Sequence, residues 1–131
     1  MIYDELLDEA TSDGLIVKEK PLVVYDGLIF GAKIAIKKDM TTAKKACVLA
    51  EELGHFHTTV GNILDQSNLD NQKQEFKARV WAYEKILSID KILEAASKGH
   101  TEPHTMAEYL DVDEEFLREY LAWQGILDIS L

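Results

Sequence analysis

Apolar residues at the start of the chain recur at helical spacing. Ile2, Leu6, Leu7 and Ala10 fall on one face with acids between them, and Ser12-Asp13-Gly14 supplies the stop. The period then changes. Leu15-Ile16-Val17, Leu22-Val23-Val24-Tyr25 and Leu28-Ile29-Phe30 are short runs of β-branched, aliphatic and aromatic residues, and Asp26-Gly27 between the last two is a hairpin signal. Ala32, Ile34 and Ile36 alternate with Lys33, Ala35 and Lys37, the pattern of a half-buried strand. These runs predict a small antiparallel sheet over residues 15–37. Its last strand is expected at an edge, where lysines on the outer face discourage aggregation.

From Thr42 the pattern is helical almost to the end. Thr41 or Thr42 caps a helix over 42–58, and the polar stretch from Gly61 to Asn71 reads as a loop. Asp70 or Asn71 then opens a long helix through Leu87. Ser88-Ile89-Asp90 breaks it before a shorter helix to Lys98, so that 71–98 forms one helical region. Thr105-Met106-Ala107-Glu108 has the spacing of a capping box, and Asp111-Val112-Asp113 starts the final helix, giving a pair over 105–123. With no repeat, low-complexity tract or linker, residues 1–131 are expected to form a single α+β domain: a small sheet followed by a mainly helical body.

Composition narrows the function. A chain of 131 residues with 47% hydrophobic content can bury a core without a disulfide, and Cys47 has no partner to form one. That suits a reducing cytoplasm. The N-terminus lacks a basic, signal-like segment, and no apolar run approaches a membrane span. A net charge of -10 argues against an open grip on nucleic acid or anionic lipid. Acid gathers at the two ends and base in the middle.

The informative helix is 42–58. Ala43, Ala46, Cys47, Ala50, Leu53 and Gly54 make a small apolar stripe, while Val48, Leu49 and Phe56 cover much of the remaining circumference. A helix so apolar is expected to be buried, yet Glu51, Glu52 and His55 lie within it. Glu51 and His55 project from the same side, ~40° apart. Burying neighbouring carboxylates costs several kcal/mol unless a cation pairs with them or they bind protons. No Lys or Arg stands at 47, 48, 55 or 56 to help, and a bound cation would resolve the difficulty. Glu75, in the first turn of the next long helix, is a further candidate ligand, with small Ala78 and Ala82 behind it to permit close helix approach. Glu51-Glu52-Leu53-Gly54-His55, then 19 residues, then Glu75 is the layout of a zinc hydrolase of the HExxH-plus-distant-Glu type.

Leu49-Ala50-Glu51-Glu52-Leu53-Gly54-His55, followed by Glu75-Phe76-Lys77-Ala78-Arg79-Val80-Trp81-Ala82, resembles the ImmA/IrrE family of metallo-endopeptidases. Its pattern is LAHELGH and then a Glu-x-x-Ala-x-x-aromatic-Ala helix. The resemblance covers about residues 15–90 and implies a zincin-like fold with His55 and Glu75 as zinc ligands and Glu52 as the general base. It also implies a partner, since such proteins commonly relieve repression by a helix-turn-helix repressor of a phage or integrative element, in the best-known cases by cleaving it. Glu51 stands where the family has its first metal-binding His. A Glu51/His55/Glu75 site carries one more negative charge, weakens the Lewis acidity of its ion and loosens the preference for zinc over manganese or iron. Two expectations follow: a peptidase with a carboxylate-rich site, or a non-proteolytic anti-repressor that keeps the fold and acts by binding.

Other candidates are weaker. Glu52-x-x-His55 matches half of a di-iron bundle motif, whose second Glu-x-x-His the sequence lacks. His57 lies on the wrong side of its helix for the same ion and reads as a surface residue. His100 and His104 are expected in a solvated turn, with an oxyanion-donor role as the alternative. Cys47 and Tyr83 read as core. Residues 106–117 have a helix-turn-helix rhythm, but Asp113, Glu114, Glu115 and Glu119 against Arg118 alone argue for a docking surface and against direct DNA binding.

Overall fold

The computed structural model describes residues 2–59 and 68–126. In chain order the elements are α1 (Ile2–Ser12), β1 (Ile16–Lys20), β2 (Gly27–Phe30), β3 (Lys33–Lys37), α2 (Thr42–Thr58), α3 (Asn68–Ile86), α4 (Ile89–Ser97), α5 (Pro103–Leu110) and α6 (Glu114–Trp123). The α+β class expected from the hydrophobic periods is what the chain adopts. Most of the expected loop between α2 and α3 lies outside the described residues, and α3 already begins at Asn68.

The sheet departs from expectation in two ways. Its order is β1-β3-β2, so β3 is the central strand and not an edge. Furthermore, β1 pairs with β3 in parallel, and only β2 and β3 are antiparallel, so the sheet is mixed. Alternation along β3 marks one buried face, with Ile34 2% and Ile36 0% exposed, but an edge strand and a central strand can share that pattern. The hairpin turn is Gly31-Ala32, with Gly31 at φ 61°, and Asp26-Gly27 instead leads into β2. Leu22–Tyr25 forms no strand. Val23 and Val24 point into solvent, and β-branching stabilises a strand only where the side chain finds something to pack against.

Helix boundaries follow local chemistry. Thr41 Oγ1 accepts the Lys44 N–H at 3.2 Å, Ser88 Oγ accepts that of Lys91 at 3.2 Å, and an Asp113 carboxylate oxygen accepts that of Phe116 at 3.3 Å. The expected capping box at Thr105 is not used. Pro103 is the first residue of α5, a position where its missing N–H costs nothing, and Thr105 Oγ1 donates to the Glu102 carbonyl at 3.1 Å. Leu49 and Leu53 of α2 are fully buried with Ile34 and Ile36 of the sheet and Leu117, Tyr120 and Leu121 of α6. The core thus surrounds α2 on all sides but one. α2 and α3 approach very closely: a Cβ on Gly54 would sit 2.4 Å from the Ala78 carbonyl oxygen. Among the described residues, no helix is long and apolar enough to cross a membrane.

Candidate metal centre

α2 is not buried all round, as its apolar circumference suggested. Ala46, Cys47, Leu49, Ala50, Leu53 and Gly54 are buried, while Glu51, Glu52 and His55 are half-buried and look into a cleft beneath β2. The cleft has a volume of about 510 Å³ and is walled by residues 25–29 on the sheet side and by Val48, Glu51, Glu52, His55 and Glu75 on the helical side. Gly27 lets the strand come down onto the helix, since a Cβ there would lie 2.6 Å from Val48 Cγ1 and 2.9 Å from Glu52 Oε2.

Helix packing brings His55 and Glu75 together. The small side chains of Gly54, Ala78 and Ala82 let the helices close, and His55 Nε2 then lies 3.3 Å from Glu75 Oε1. Two donors bound at ~2.0–2.1 Å in a tetrahedral site are ~3.3–3.4 Å apart, so this pair has the spacing of two ligands to one ion. His55 is 18% exposed and Glu75 62%, which leaves the pair open on the cleft side. An imidazole beside carboxylates is a donor set that suits zinc, manganese or iron.

Glu51 has a different neighbour. Its Oε1 is 3.6 Å from Arg79 Nε of α3, one turn beyond Glu75. The cation missing from α2 is therefore supplied across the helix interface. Burial raises the Glu51 pKa, Arg79 opposes that shift, and the Glu119 and Glu75 charges add to it. Glu52 has no such cation: burial first, then the Glu51 and Glu75 charges, push its carboxyl up to about 7. A carboxyl poised there can exchange a proton near neutral pH. The roles of Arg79 and Gly27 are not evident from the sequence. The one signal Arg79 leaves there is its place four positions after Glu75, on the same face of α3.

Among the described residues, one set of three His, Cys, Asp or Glu ligand atoms lies within 4.8 Å of one another, and it is a different set: Glu9, Asp13 and His57. Each of the three already has a side-chain partner. His57 Nε2 is 2.9 Å from Asp13 Oδ2 and its ring stacks on Trp81 at 5.0 Å, while Glu9 pairs with Lys85. The cluster ties the end of α1 to α2 and α3 behind the cleft. His100 stacks on Tyr109 at 4.6 Å and His104 lies 3.6 Å from Glu102, so neither takes the oxyanion-donor position considered for it. Tyr83 is buried among Phe116, Tyr120 and Trp123, and burial pushes the Cys47 thiol up to about 12; both are core residues.

A mixed sheet lying over a helix that carries Glu-Glu-x-x-His, packed on a second helix that carries Glu, has the character of a metallopeptidase domain. The family model Peptidase_M78, described as an IrrE N-terminal-like domain, matches residues 11–121, and the chain belongs to that family. That places it in a metallopeptidase family of the ImmA/IrrE type, a class that uses a metal ion. No curated protein matches the chain.

Proposed function

We propose that the chain is a zinc-dependent endopeptidase that inactivates a helix-turn-helix repressor of a phage or mobile element by cutting it, in the cytoplasm. The observation that carries this is the 3.3 Å approach of His55 to Glu75 beside the half-buried Glu52 carboxyl, in an open cleft. Glu51, His55 and Glu75 would hold the ion, with manganese or iron as alternatives to zinc. Such an ion supplies Lewis acidity, which acidifies water and polarises a peptide carbonyl. Glu52 accepts a proton from the attacking water and returns it to the leaving amine. Substrate is held as an added strand on the free edge of β2, because β3 is covered on both sides.

Glu51 already has a counter-charge in Arg79, and that pairing favours a second reading: a non-proteolytic anti-repressor that binds its partner with the same fold. One experiment separates the two. Elemental analysis of the protein purified without chelator, beside His55→Ala and Glu75→Ala, should give near-stoichiometric metal that both variants lose. Glu52→Gln should retain the metal and lose cleavage of the repressor. Derepression that persists in Glu52→Gln would establish the binding module instead.

A further inference from the structure

Among the described residues, nothing packs over the outer face of the sheet. Ile34 and Ile36 turn inward to the core, so alternation sends Lys33 and Ala35 of β3 to the other side. The register then sets Ile16, Lys33 and Phe30 in one row and Lys18, Ala35 and Leu28 in the next. Small Ala35 between taller neighbours leaves a groove of about 560 Å³, and Phe30 at its edge is 87% exposed. Three lysines line this groove, Lys18, Lys20 and Lys33, and no acid does. That is unusual on a protein of net charge -10. Lys44, Lys45 and Lys85 each stand on a carboxylate, whereas among the described residues the three groove lysines meet none.

We propose that this groove docks an acidic, apolar segment of a partner polypeptide. Its large apolar side chains lie over Ala35 between Ile16, Leu28 and Phe30, and its carboxylates meet Lys18, Lys20 and Lys33. Charge complementarity selects the acid, and the hollow over Ala35 selects side chains that can enter it; a flat bilayer would touch only the protruding tips. β2 carries both surfaces, since Gly27 and Ile29 wall the cleft, Phe30 walls the groove and Leu28 lines both. A segment docked here is therefore held one strand's thickness from the cleft. In placing the partner beside a site of cleavage the inference rests on the peptidase reading; the docking itself does not.

The test uses the whole chain and a fluorescent peptide alternating Glu with Leu and Phe, beside a counterpart with Lys for Glu. Anisotropy should show binding of the Glu peptide only, and amide spectra should move at Ile16, Phe30 and Ala35. Lys18→Glu combined with Lys33→Glu, and separately Phe30→Ser, should weaken binding about tenfold or more at unchanged circular dichroism. Equal binding of the Lys peptide, or shifts confined to the cleft, would overturn the proposal. So would outer-face shifts that answer only to phosphatidylserine vesicles, which means lipid, or only to protein concentration, which means a second copy. Glu52→Gln should bind the peptide like the wild type. Docking without any repressor cleavage would therefore sink the peptidase reading alone, and cleavage without docking would sink the groove alone.

Discussion

Glu51 of α2 and Arg79 of α3 face each other across the helix interface, Oε1 to Nε 3.6 Å, so the half-buried carboxylate of the departing motif position carries its own counter-charge. Replacing Arg79 with Gln leaves Glu51 beside Glu52 and Glu75 with no cation. The metal-free variant should melt below the wild type, and zinc should raise its Tm by more, because the ion then supplies the charge that Arg79 gave. Thermal unfolding with and without zinc measures both effects. An identical zinc-induced rise in the two proteins would mean that Glu51 is no ligand.

Gly27 determines where Glu52 sits. A methyl group at this position would meet Val48 Cγ1 at 2.6 Å and Glu52 Oε2 at 2.9 Å, so either β2 lifts or the carboxylate swings away. Gly27→Ala should keep its fold, with a Tm lower by a few degrees, and lose on the order of tenfold or more in peptide cleavage, as expected for a misplaced proton acceptor. Cleavage at the wild-type rate would show that Glu52 tolerates displacement and would count against its role as base.

Gly54 acts on stability. Its absent Cβ would fall 2.4 Å from the Ala78 carbonyl oxygen, which is backbone and cannot rotate away. Gly54→Ala must push α3 off α2, at a cost of roughly 1–3 kcal/mol for an overpacked interface, beyond what the gain in helix propensity returns. Chemical denaturation would read this as a lower midpoint. An unchanged midpoint would mean that the helices can slide apart freely.

Glu19 gives the acid side of the stability profile a specific origin. It accepts hydrogen bonds from Lys45 Nζ at 2.8 Å and the Tyr3 hydroxyl at 3.0 Å, and the Lys45 bond is the main cause of its lowered pKa. A carboxyl with a lower pKa folded than unfolded contributes stability above its unfolded value of ~4.3 and loses that contribution as pH falls through the folded one. Glu19→Gln should therefore flatten the loss of stability between roughly pH 5 and pH 3. Urea melts across that range test it, and parallel curves for wild type and variant would refute it.

Local chemistry is why so much could be read in one dimension. The helix over Thr42–Thr58, the break at Ser88 and the β2–β3 pair each depend on neighbouring residues: a cap, a period, a tight turn. The candidate site was legible as residue types for the same reason, since Glu51, Glu52 and His55 sit on one helix within about a turn of each other. Capping at Thr105 failed because Pro103 offered an earlier start, and the Leu22–Tyr25 strand failed because nothing packed on it.

The α+β class, the apolar faces of α1 and α2 and the residues able to do chemistry can be read from the chain alone, because periodicity, propensity and side-chain functionality are local. Three-dimensional packing sets the rest: β3 is central, β2 walls the cleft, Arg79 stands against Glu51, and His57 belongs to a clamp with Asp13 and Trp81. Each of those joins residues far apart in the chain, and which distant groups meet depends on how whole helices and strands fit against one another.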